Sequence, residues 1–164
     1  MNQLTDGNFH TEFIVSLARR MQPKVYLELG VYKGKTLCAV APYCKKAIGV
    51  DTQRRCEYSG LFYQMTTKDF FTNHQETLEE LELCFIDADH SFESVKDDFH
   101  RVYESLTMNG ILILHDTFPE NDEYKAPHLC GDTFKMVNYL KDKGIEAVTL
   151  PCPPGLTIVR KVVL

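Results

Sequence analysis

Short apolar runs alternate along this chain with segments in which apolar residues recur three and four positions apart. The apolar runs have the length of buried strands, and they lie at 24–29, 46–50, 61–65, 83–90 and 111–116. Helical spacing predicts helices over residues 10–21, 34–43 and 68–80, and two further helices after Ser91 and Asp132. This alternation predicts an α/β protein with a Rossmann-like, doubly wound, mostly parallel sheet.

Capping and turn residues set the boundaries of the last elements. Ser91 is expected to cap the fourth helix and Asp132 the fifth, which should end at Gly144. The segments EAVTL and LTIVRKVV, joined by PCPPG, predict a C-terminal antiparallel hairpin.

Two connections have unusual lengths. Residues 52–60 join the second and third strands with nine residues, whereas a parallel crossover normally needs about a dozen or more. We therefore expect either extended coil or an abridged edge of the sheet. Residues 117–131 form the longest loop, which is polar and lies where an α/β protein carries functional residues.

Composition is that of one ordinary globular domain. With 164 residues, 44% of them hydrophobic and 25% charged, the chain is expected to form a single domain over 1–164. Its net charge of −5, without a basic cluster, argues against nucleic-acid binding. The sequence has no signal-peptide pattern, no apolar run of membrane-spanning length and no C-x-x-C pair among its six cysteines. A cytoplasmic protein with reduced thiols and no membrane association is therefore expected.

The stretch VYLELGVYKGKT, residues 25–36, has the form of a strand, a glycine-containing turn and the start of a helix. Glu28 lies at the end of the strand, and Gly30 and Gly34 permit a tight turn and close approach of the backbone to a ligand. Asp51 ends the next strand, AIGVD, where a carboxylate commonly accepts ribose hydroxyls. These residues predict a site for a nucleoside-containing cofactor.

Three ligand-binding loop patterns can be compared with the sequence of this turn. The dinucleotide pattern G-x-G-x-x-G is not met, because only Gly30 and Gly34 are present. The P-loop pattern G-x-x-x-x-G-K-[ST] is met at its end by Gly34, Lys35 and Thr36, but the turn is one residue short. The pattern E-x-G-x-x-x-G is met in full. A structural turn without a ligand is the remaining alternative.

Polar residues close four of the predicted strands. They are Glu28, Asp51, Asp87 and the adjacent pair His115 and Asp116. Ligands of open α/β sheets bind outside the carboxyl ends of the strands, so these side chains are expected at one edge. Loop polarity alone explains one such position but explains all four poorly.

The four segments VYLELGVYKGKT, AIGVD, FIDADH and GILILHDT together resemble class I S-adenosylmethionine-dependent methyltransferases. The resemblance covers residues 24–117 and is strongest to the divalent-metal-dependent O-methyltransferases of the catechol, caffeoyl-CoA and macrolide-sugar types. It implies S-adenosylmethionine as the cofactor and transfer of its methyl group to a small-molecule acceptor, expected at oxygen.

The resemblance also implies cofactor roles for particular residues. Glu28 would hold the methionine end of the cofactor, the glycines would leave room for it, and Asp51 would accept the ribose hydroxyls. The implied set is Glu28, Gly30, Tyr32, Gly34, Thr36, Asp51, Thr67 and Asp87. For Tyr32, an exposed loop aromatic without a cofactor role is the alternative.

A metal site is implied at the ends of two strands, where the metal-dependent families carry ligands at the positions of Asp87, His115 and Asp116. Oxygen ligands suit Mg²⁺, whereas a histidine among carboxylates favours Mn²⁺, Fe²⁺ or Zn²⁺. Mg²⁺ or Mn²⁺ is therefore the expected second cofactor. In the alternative, His115 and Asp116 bond loop backbone or contact the substrate directly.

His90 lies three residues after Asp87, where one of these families carries a catalytic lysine, and is the expected catalytic base, with Asp89 as the other candidate. A hydrogen bond at the start of the following helix is the alternative role for His90. Three other histidines are expected on the surface or on helix faces, namely His10, His74 and His100, and His128 of the long loop is left open.

Two other functions compete with methyl transfer. One is a non-catalytic nucleoside-binding protein that keeps the methyltransferase fold, and the other is a P-loop phosphotransferase. The chain shows no obvious extension that would cover the substrate. A second subunit could supply the missing walls, so a homo-oligomer is compatible with the sequence.

Overall fold

The computed structural model of the protein describes residues 9–162, in which a single mixed sheet of seven strands carries helices on both faces. The strands are β1 Val25–Leu29, β2 Lys46–Asp51, β3 Leu61–Gln64, β4 Leu81–Ile86, β5 Leu106–His115, β6 Ala147–Leu150 and β7 Leu156–Arg160. The α-helices are α1 Phe9–Met21, α2 Lys35–Val40, α3 Thr67–His74, α4 Phe92–Ser105 and α5 Lys135–Asp142.

The order of the strands is β3-β2-β1-β4-β5-β7-β6. Strands β1 to β5 run parallel, and β7 pairs antiparallel with both β5 and β6. Leu27 of β1 pairs with Ile48 of β2 on one side and Cys84 of β4 on the other. The predicted doubly wound sheet with a C-terminal antiparallel hairpin is confirmed, and the carboxyl ends of the parallel strands meet at one edge.

Alternate residues of each strand enter two separate apolar layers. Leu27 packs in the layer that includes Phe70 of α3 and Phe99 of α4. Tyr26 packs in the opposite layer with Ile14 of α1. Because side chains two positions apart share a face, Glu28 points to the same side as Tyr26, towards α1 and α2.

The connection 52–60 is coil without a helix, so the first of the two expectations for this segment is confirmed. The Tyr58 hydroxyl donates to the Ala47 carbonyl at 2.9 Å and fastens the coil to the start of β2. Helix α3 is shorter than predicted and continues as the 3-10 turn Gln75–Leu78. No helix within the described residues is long and apolar enough to cross a membrane.

The expected cap of the fifth helix is wrong. Helix α5 begins at Lys135, and the Asp132 carboxylate instead accepts a hydrogen bond from the Phe92 N–H at the start of α4. Ser91 does occupy the N-cap position of α4, but its hydroxyl bonds the Ser94 hydroxyl at 2.9 Å and caps no backbone group. The α4 N-terminus is therefore capped by a residue forty positions further along the chain.

Substitutions at the two candidate caps should separate these roles. We expect Asp132→Ala to lower the free energy of unfolding by about 1–2 kcal/mol, because the Phe92 N–H loses its acceptor. Ser91→Ala should change it by less than about 0.5 kcal/mol. Urea denaturation of both variants measures the difference, and a larger loss from Ser91→Ala would contradict the assignment.

Candidate active site

The turn after β1 is held against the ends of two neighbouring strands. The Gly30 N–H donates to the Val50 carbonyl at 2.9 Å, and the Asp87 N–H donates to the Leu29 carbonyl at 2.8 Å. Gly30 has φ +83°, and a Cβ placed on it would lie 2.0 Å from the Asp87 carbonyl oxygen. Glycine is therefore required here by contact between backbones, whatever a ligand contributes.

The Asp51 carboxylate organises the same turn. One of its oxygens accepts hydrogen bonds from the N–H groups of Val31 and Tyr32, at 2.9 and 2.8 Å, and the other accepts from the Gln53 N–H at 2.9 Å. An ionised carboxylate offers about four acceptor positions, so about one remains for a ligand. The expected bonds to both hydroxyls of a ribose stay a prediction, and one such bond can form without displacing the turn.

Glu28 is a buried acid with 2% of its surface exposed. Burial raises the pKa of its carboxyl from 4.5 to about 8, and the nearby Asp87 charge adds to the rise. The Tyr26 hydroxyl opposes this shift by donating to Glu28 at 2.6 Å. A buried acid of raised pKa at the end of a central strand is a feature of functional sites.

Two adjoining cavities open at this edge of the sheet and share Gly30, Asp51, Thr52 and Ala88 as walls. The larger, of 770 Å³, is lined by most of the predicted site residues, which are Glu28, Gly30, Tyr32, Thr36, Asp51, Asp87, His90, His115 and Asp116. The smaller, of 630 Å³, is lined by Thr67 and Asp89. Gly34 lines neither and packs against Cys56.

Two residues of the turn have contacts of their own. Thr36 is buried, and its hydroxyl pairs with the Thr11 hydroxyl at 2.8 Å, which ties α2 to α1. Tyr32 is 57% exposed, and its ring lies 5.5 Å from the Lys33 ammonium and 5.3 Å from the Arg55 guanidinium. The exposed position fits the alternative of a loop aromatic as well as that of a cofactor wall.

The smaller cavity contains an acid that sequence reasoning missed. Asp98 of α4 is 3% exposed, and burial raises the pKa of its carboxyl to about 6 against the opposing hydrogen bond from Thr67. The sequence does indicate that Asp98 is buried. It follows Val95 by three positions and precedes Val102 by four, so it lies on the apolar face of the helix.

The ends of β4 and β5 bring two carboxylates and two imidazoles together. His115 Nδ1 lies 3.0 Å from Asp87 Oδ1 and 3.2 Å from Asp116 Oδ1. His90 Nε2 lies 3.4 Å from Asp116 Oδ2 and 3.7 Å from Asp87 Oδ1. Asp87, His90 and Asp116 each offer one ligand atom, all within 4.8 Å of one another, so a metal ion fits among them.

His115 is held by the acids beside it. Burial alone would lower the pKa of its imidazole, but the charges and hydrogen bonds of Asp87 and Asp116 outweigh burial and raise it to about 10. Its Nε2 atom is buried without a hydrogen-bond partner among the described residues.

His10 lies on a face of α1, one of the two places expected for it, and it also lines the larger cavity, which was not expected. Its ring centroid lies 4.6 Å from that of His115 and 5.8 Å from that of Phe85. Burial, together with the His115 charge, lowers the pKa of His10 to about 4. The sequence indicates that His10 faces the sheet, because it precedes the buried residues Ile14 and Ala18 by four and eight positions and so shares their side of the helix.

The second candidate base, Asp89, points towards the start of α4. Hydrogen bonds from the Ser91 side chain and from the Ser91 N–H, the latter at 2.7 Å, lower the pKa of its carboxyl against the opposing effect of burial. Asp89 is exposed in the smaller cavity and is absent from the cluster around His90. The prediction that it serves as a base has little geometric support.

The long loop covers one side of the larger cavity, which is lined there by Tyr124, His128, Leu129 and Cys130. The Leu129 carbonyl accepts from His90 Nδ1, and the Cys130 thiol bonds the Asp116 carboxylate. The loop therefore contacts Asp116 and the His90 imidazole directly.

The geometry of the turn is unsuited to a P-loop. A phosphate-binding loop must leave its N–H groups free for the ligand. Here the N–H groups of Val31 and Tyr32 are taken by the Asp51 carboxylate, and that of Gly34 by the Val31 carbonyl at 2.8 Å. A negative charge also stands where a phosphate would bind.

The sequence matches a family of known proteins. Residues 27–117, more than half of the chain, match the sequence model of a family described as "Methyltransferase domain". No curated protein matches the sequence significantly.

Solved structures show the same fold at low sequence identity. An O-methyltransferase from Bacillus cereus, solved with S-adenosylhomocysteine, is 13% identical with a TM-score of 0.72, over 98% of this chain and 84% of that one. TomG of Streptomyces achromogenes, involved in tomaymycin synthesis and solved with S-adenosylmethionine, is 12% identical with a TM-score of 0.68, over 99% and 84%. MycE of the mycinamycin pathway, solved with Mg and S-adenosylhomocysteine, is 15% identical with a TM-score of 0.66, over 93% and 48%.

The contact at Gly30 can be tested against a glycine with free space. Both Gly30 and Gly144 have positive φ, but a Cβ at Gly144 would meet nothing within 4 Å. Gly144→Ala should lower the free energy of unfolding by about 1 kcal/mol from backbone strain alone. Gly30→Ala should cost about 2–4 kcal/mol, because the Asp87 backbone must also move. Equal losses in chemical denaturation would show that the contact does not restrict the turn.

The buried acid at Glu28 should make stability depend on pH. An unfolded glutamate ionises near pH 4.3, while the folded carboxyl stays protonated up to about pH 8. Its contribution is complete below pH 4 and is lost as the pH rises towards 8. Glu28→Gln should therefore match the wild type at pH 4 and exceed its free energy of unfolding by about 1–3 kcal/mol at pH 8.5.

Denaturant titrations without ligand at the two pH values measure this difference. Glu57→Gln, an exposed change of the same kind, is the control and should show no such dependence on pH. If Glu28→Gln were the less stable protein at pH 8.5, the protonated, buried state of Glu28 would be refuted.

Proposed function

The chain belongs to the methyltransferase-domain family, and from this premise we propose that it transfers a methyl group from S-adenosylmethionine to an oxygen of a small-molecule acceptor. The resemblance of its motifs to class I methyltransferases is confirmed at the level of the family and the fold. The observation that carries the proposal is the pair of cavities meeting at Gly30 and Asp51, between Glu28 on one side and Thr67 on the other.

In this proposal the cofactor spans both cavities. Its methionine end lies in the larger cavity near Glu28, its ribose at Asp51, and its adenine in the smaller cavity near Thr67 and Asp98. An ammonium group would favour ionised Glu28 and so offset the cost of burying that charge. The cofactors named for the B. cereus enzyme, TomG and MycE support the same class of ligand here.

The acceptor would enter the larger cavity beside the long loop and approach the ends of β4 and β5. Its hydroxyl oxygen forms a bond to the methyl carbon as the bond from carbon to sulfur breaks, which leaves S-adenosylhomocysteine. The hydroxyl proton must pass to a base, for which the sequence predicts His90 or Asp89. The donor set Asp87, His90 and Asp116 fits a divalent metal, which would lower the pKa of an acceptor hydroxyl and orient it.

Other features of the proposal come from the sequence. A cytoplasmic location and action without nucleic acid rest on composition and charge. Assembly into a homo-oligomer would supply further walls for the acceptor. A non-catalytic protein that binds the cofactor remains the second candidate, but it has no need for the polar cluster at the ends of β4 and β5.

Calorimetric titration tests the cofactor. We expect S-adenosylhomocysteine to bind and ATP not to bind. Asp51→Ala should weaken binding by about 1.5–3 kcal/mol and also lower thermal stability, because the turn loses an acceptor for three N–H groups. Glu28→Gln should weaken binding while raising stability at pH 8.5. Binding of ATP in place of S-adenosylhomocysteine would contradict the proposal.

Methyl transfer is then measured as release of S-adenosylhomocysteine from S-adenosylmethionine with a panel of catechols and sugar hydroxyls. Turnover with any of these acceptors would support the proposed methyltransferase activity. Cofactor binding without turnover across the panel would favour the non-catalytic candidate.

A further inference from the structure

The two histidines near Asp87 and Asp116 differ in which ring nitrogen is free. His90 Nδ1 faces the Leu129 carbonyl, which only accepts hydrogen bonds, so this nitrogen must carry a hydrogen. In the neutral ring, Nε2 then has no hydrogen and carries a lone pair. It points at two carboxylate oxygens, one of Asp87 and one of Asp116, which are also acceptors.

The separations at His90 are those of ligands around an ion and are long for hydrogen bonds. An N–H···O bond spans about 2.7–3.2 Å, whereas Nε2 lies 3.4 and 3.7 Å from the two oxygens. Donors bound at about 2.1 Å to one ion, at angles between tetrahedral and trigonal, lie about 3.4–3.6 Å apart. The two separations from Nε2 are therefore close to those between ligands of one cation, and the ligand atoms of Asp87, His90 and Asp116 all lie within 4.8 Å of one another.

His115 is placed differently. Its Nδ1 lies within ordinary hydrogen-bond distance of both carboxylates, at 3.0 and 3.2 Å, and must be a donor there. At Asp116 the two imidazoles approach different oxygens, Oδ1 for His115 and Oδ2 for His90, whereas at Asp87 both approach Oδ1. Such a donor orients carboxylates from outside an ion's ligand shell.

We propose that Asp87, His90 and Asp116 bind a divalent transition metal, and that His115 is a positioning residue which holds the two carboxylates. This assignment rests on the proposed function for the role of the metal in catalysis. It replaces His115 by His90 in the ligand set implied by the resemblance. It also takes His90 out of the role of base, so that the hydroxyl proton of the acceptor passes to solvent water or to Asp89.

The donor set also selects the kind of metal. Mg²⁺ prefers six oxygen ligands, while an imidazole nitrogen favours transition metals. The hydrogen bond from His90 Nδ1 to a backbone carbonyl is the support that metal-bound histidines usually have. Three protein ligands leave positions open for the oxygens of an acceptor.

Mn²⁺ is the probe, because its electron paramagnetic resonance reports both binding and coordinated nitrogen. We expect the wild type to bind Mn²⁺ and to show electron spin-echo modulation from one coordinated ¹⁴N. A tenfold excess of Mg²⁺ should displace less than half of the Mn²⁺. Absence of Mn²⁺ binding, or binding without nitrogen modulation, would overturn the proposal.

Three matched variants identify the nitrogen. His90→Gln should weaken Mn²⁺ binding about 100-fold and abolish the nitrogen modulation. His115→Gln should weaken it only about tenfold and keep the modulation. His128→Gln changes an exposed histidine of the same cavity and should alter neither.

Modulation that is lost in His115→Gln and kept in His90→Gln would overturn the assignment. If His90→Gln does not fold, His115→Gln alone decides, because retained modulation excludes His115 as the ligand. S-adenosylhomocysteine titrations run on the same samples separate the two proposals. Cofactor binding without Mn²⁺ binding would contradict only the metal site. Mn²⁺ binding without cofactor binding would contradict only the proposed function.

Discussion

The contact between the Gly30 and Asp87 backbones is the constraint on which the site depends. Parallel pairing brings the ends of β1 and β4 side by side, and only a residue without Cβ allows the turn after β1 to lie against the Asp87 carbonyl. This contact places Glu28 and Asp87 on walls of the same cavity. The turn after β1 and the polar cluster at the ends of β4 and β5 are therefore held together by one backbone contact.

Around this contact the protein buries ionisable groups that burial itself disfavours. Glu28 and Asp98 both have pKa values raised by burial, one in each cavity. His115 keeps a raised pKa only because two acids surround it. A protein selected for stability alone would place apolar residues at such positions. Their arrangement along the cavities is more easily explained by a ligand that carries positive charge and hydroxyl groups.

Much of this fold could be predicted from the sequence, because the spacing of apolar residues and the length of apolar runs are local properties. The strand-end acids were found for the same reason, since parallel strands deliver their last residues to one edge. Partners distant in sequence could not be found in this way. Asp132 has the composition of a local cap, yet its carboxylate bonds Phe92, because the turn at 131–134 packs on the start of α4.

His10 and Asp98 show a second limit. Both lie three or four positions from buried residues of their helices, but this spacing does not say whether a polar residue faces solvent, a neighbouring helix or a cavity. The answer depends on the packing of α1 and α4 against the sheet edge, which is a tertiary property. For His10, the deciding contact is with His115, more than a hundred residues away.

The long loop is joined to His90 by the backbone as well as by the ring. The His90 carbonyl accepts from the Asp132 N–H at 3.0 Å and from the Thr133 hydroxyl at 3.2 Å, and a Cβ at Gly131 would lie 2.2 Å from that carbonyl. Since Leu129 fixes the ring of the same histidine, any shift of residues 129–133 must move His90 relative to Asp87 and Asp116. The loop that covers one side of the larger cavity therefore also sets the position of the imidazole. A ligand that displaces this loop would alter the cluster at the strand ends without touching it.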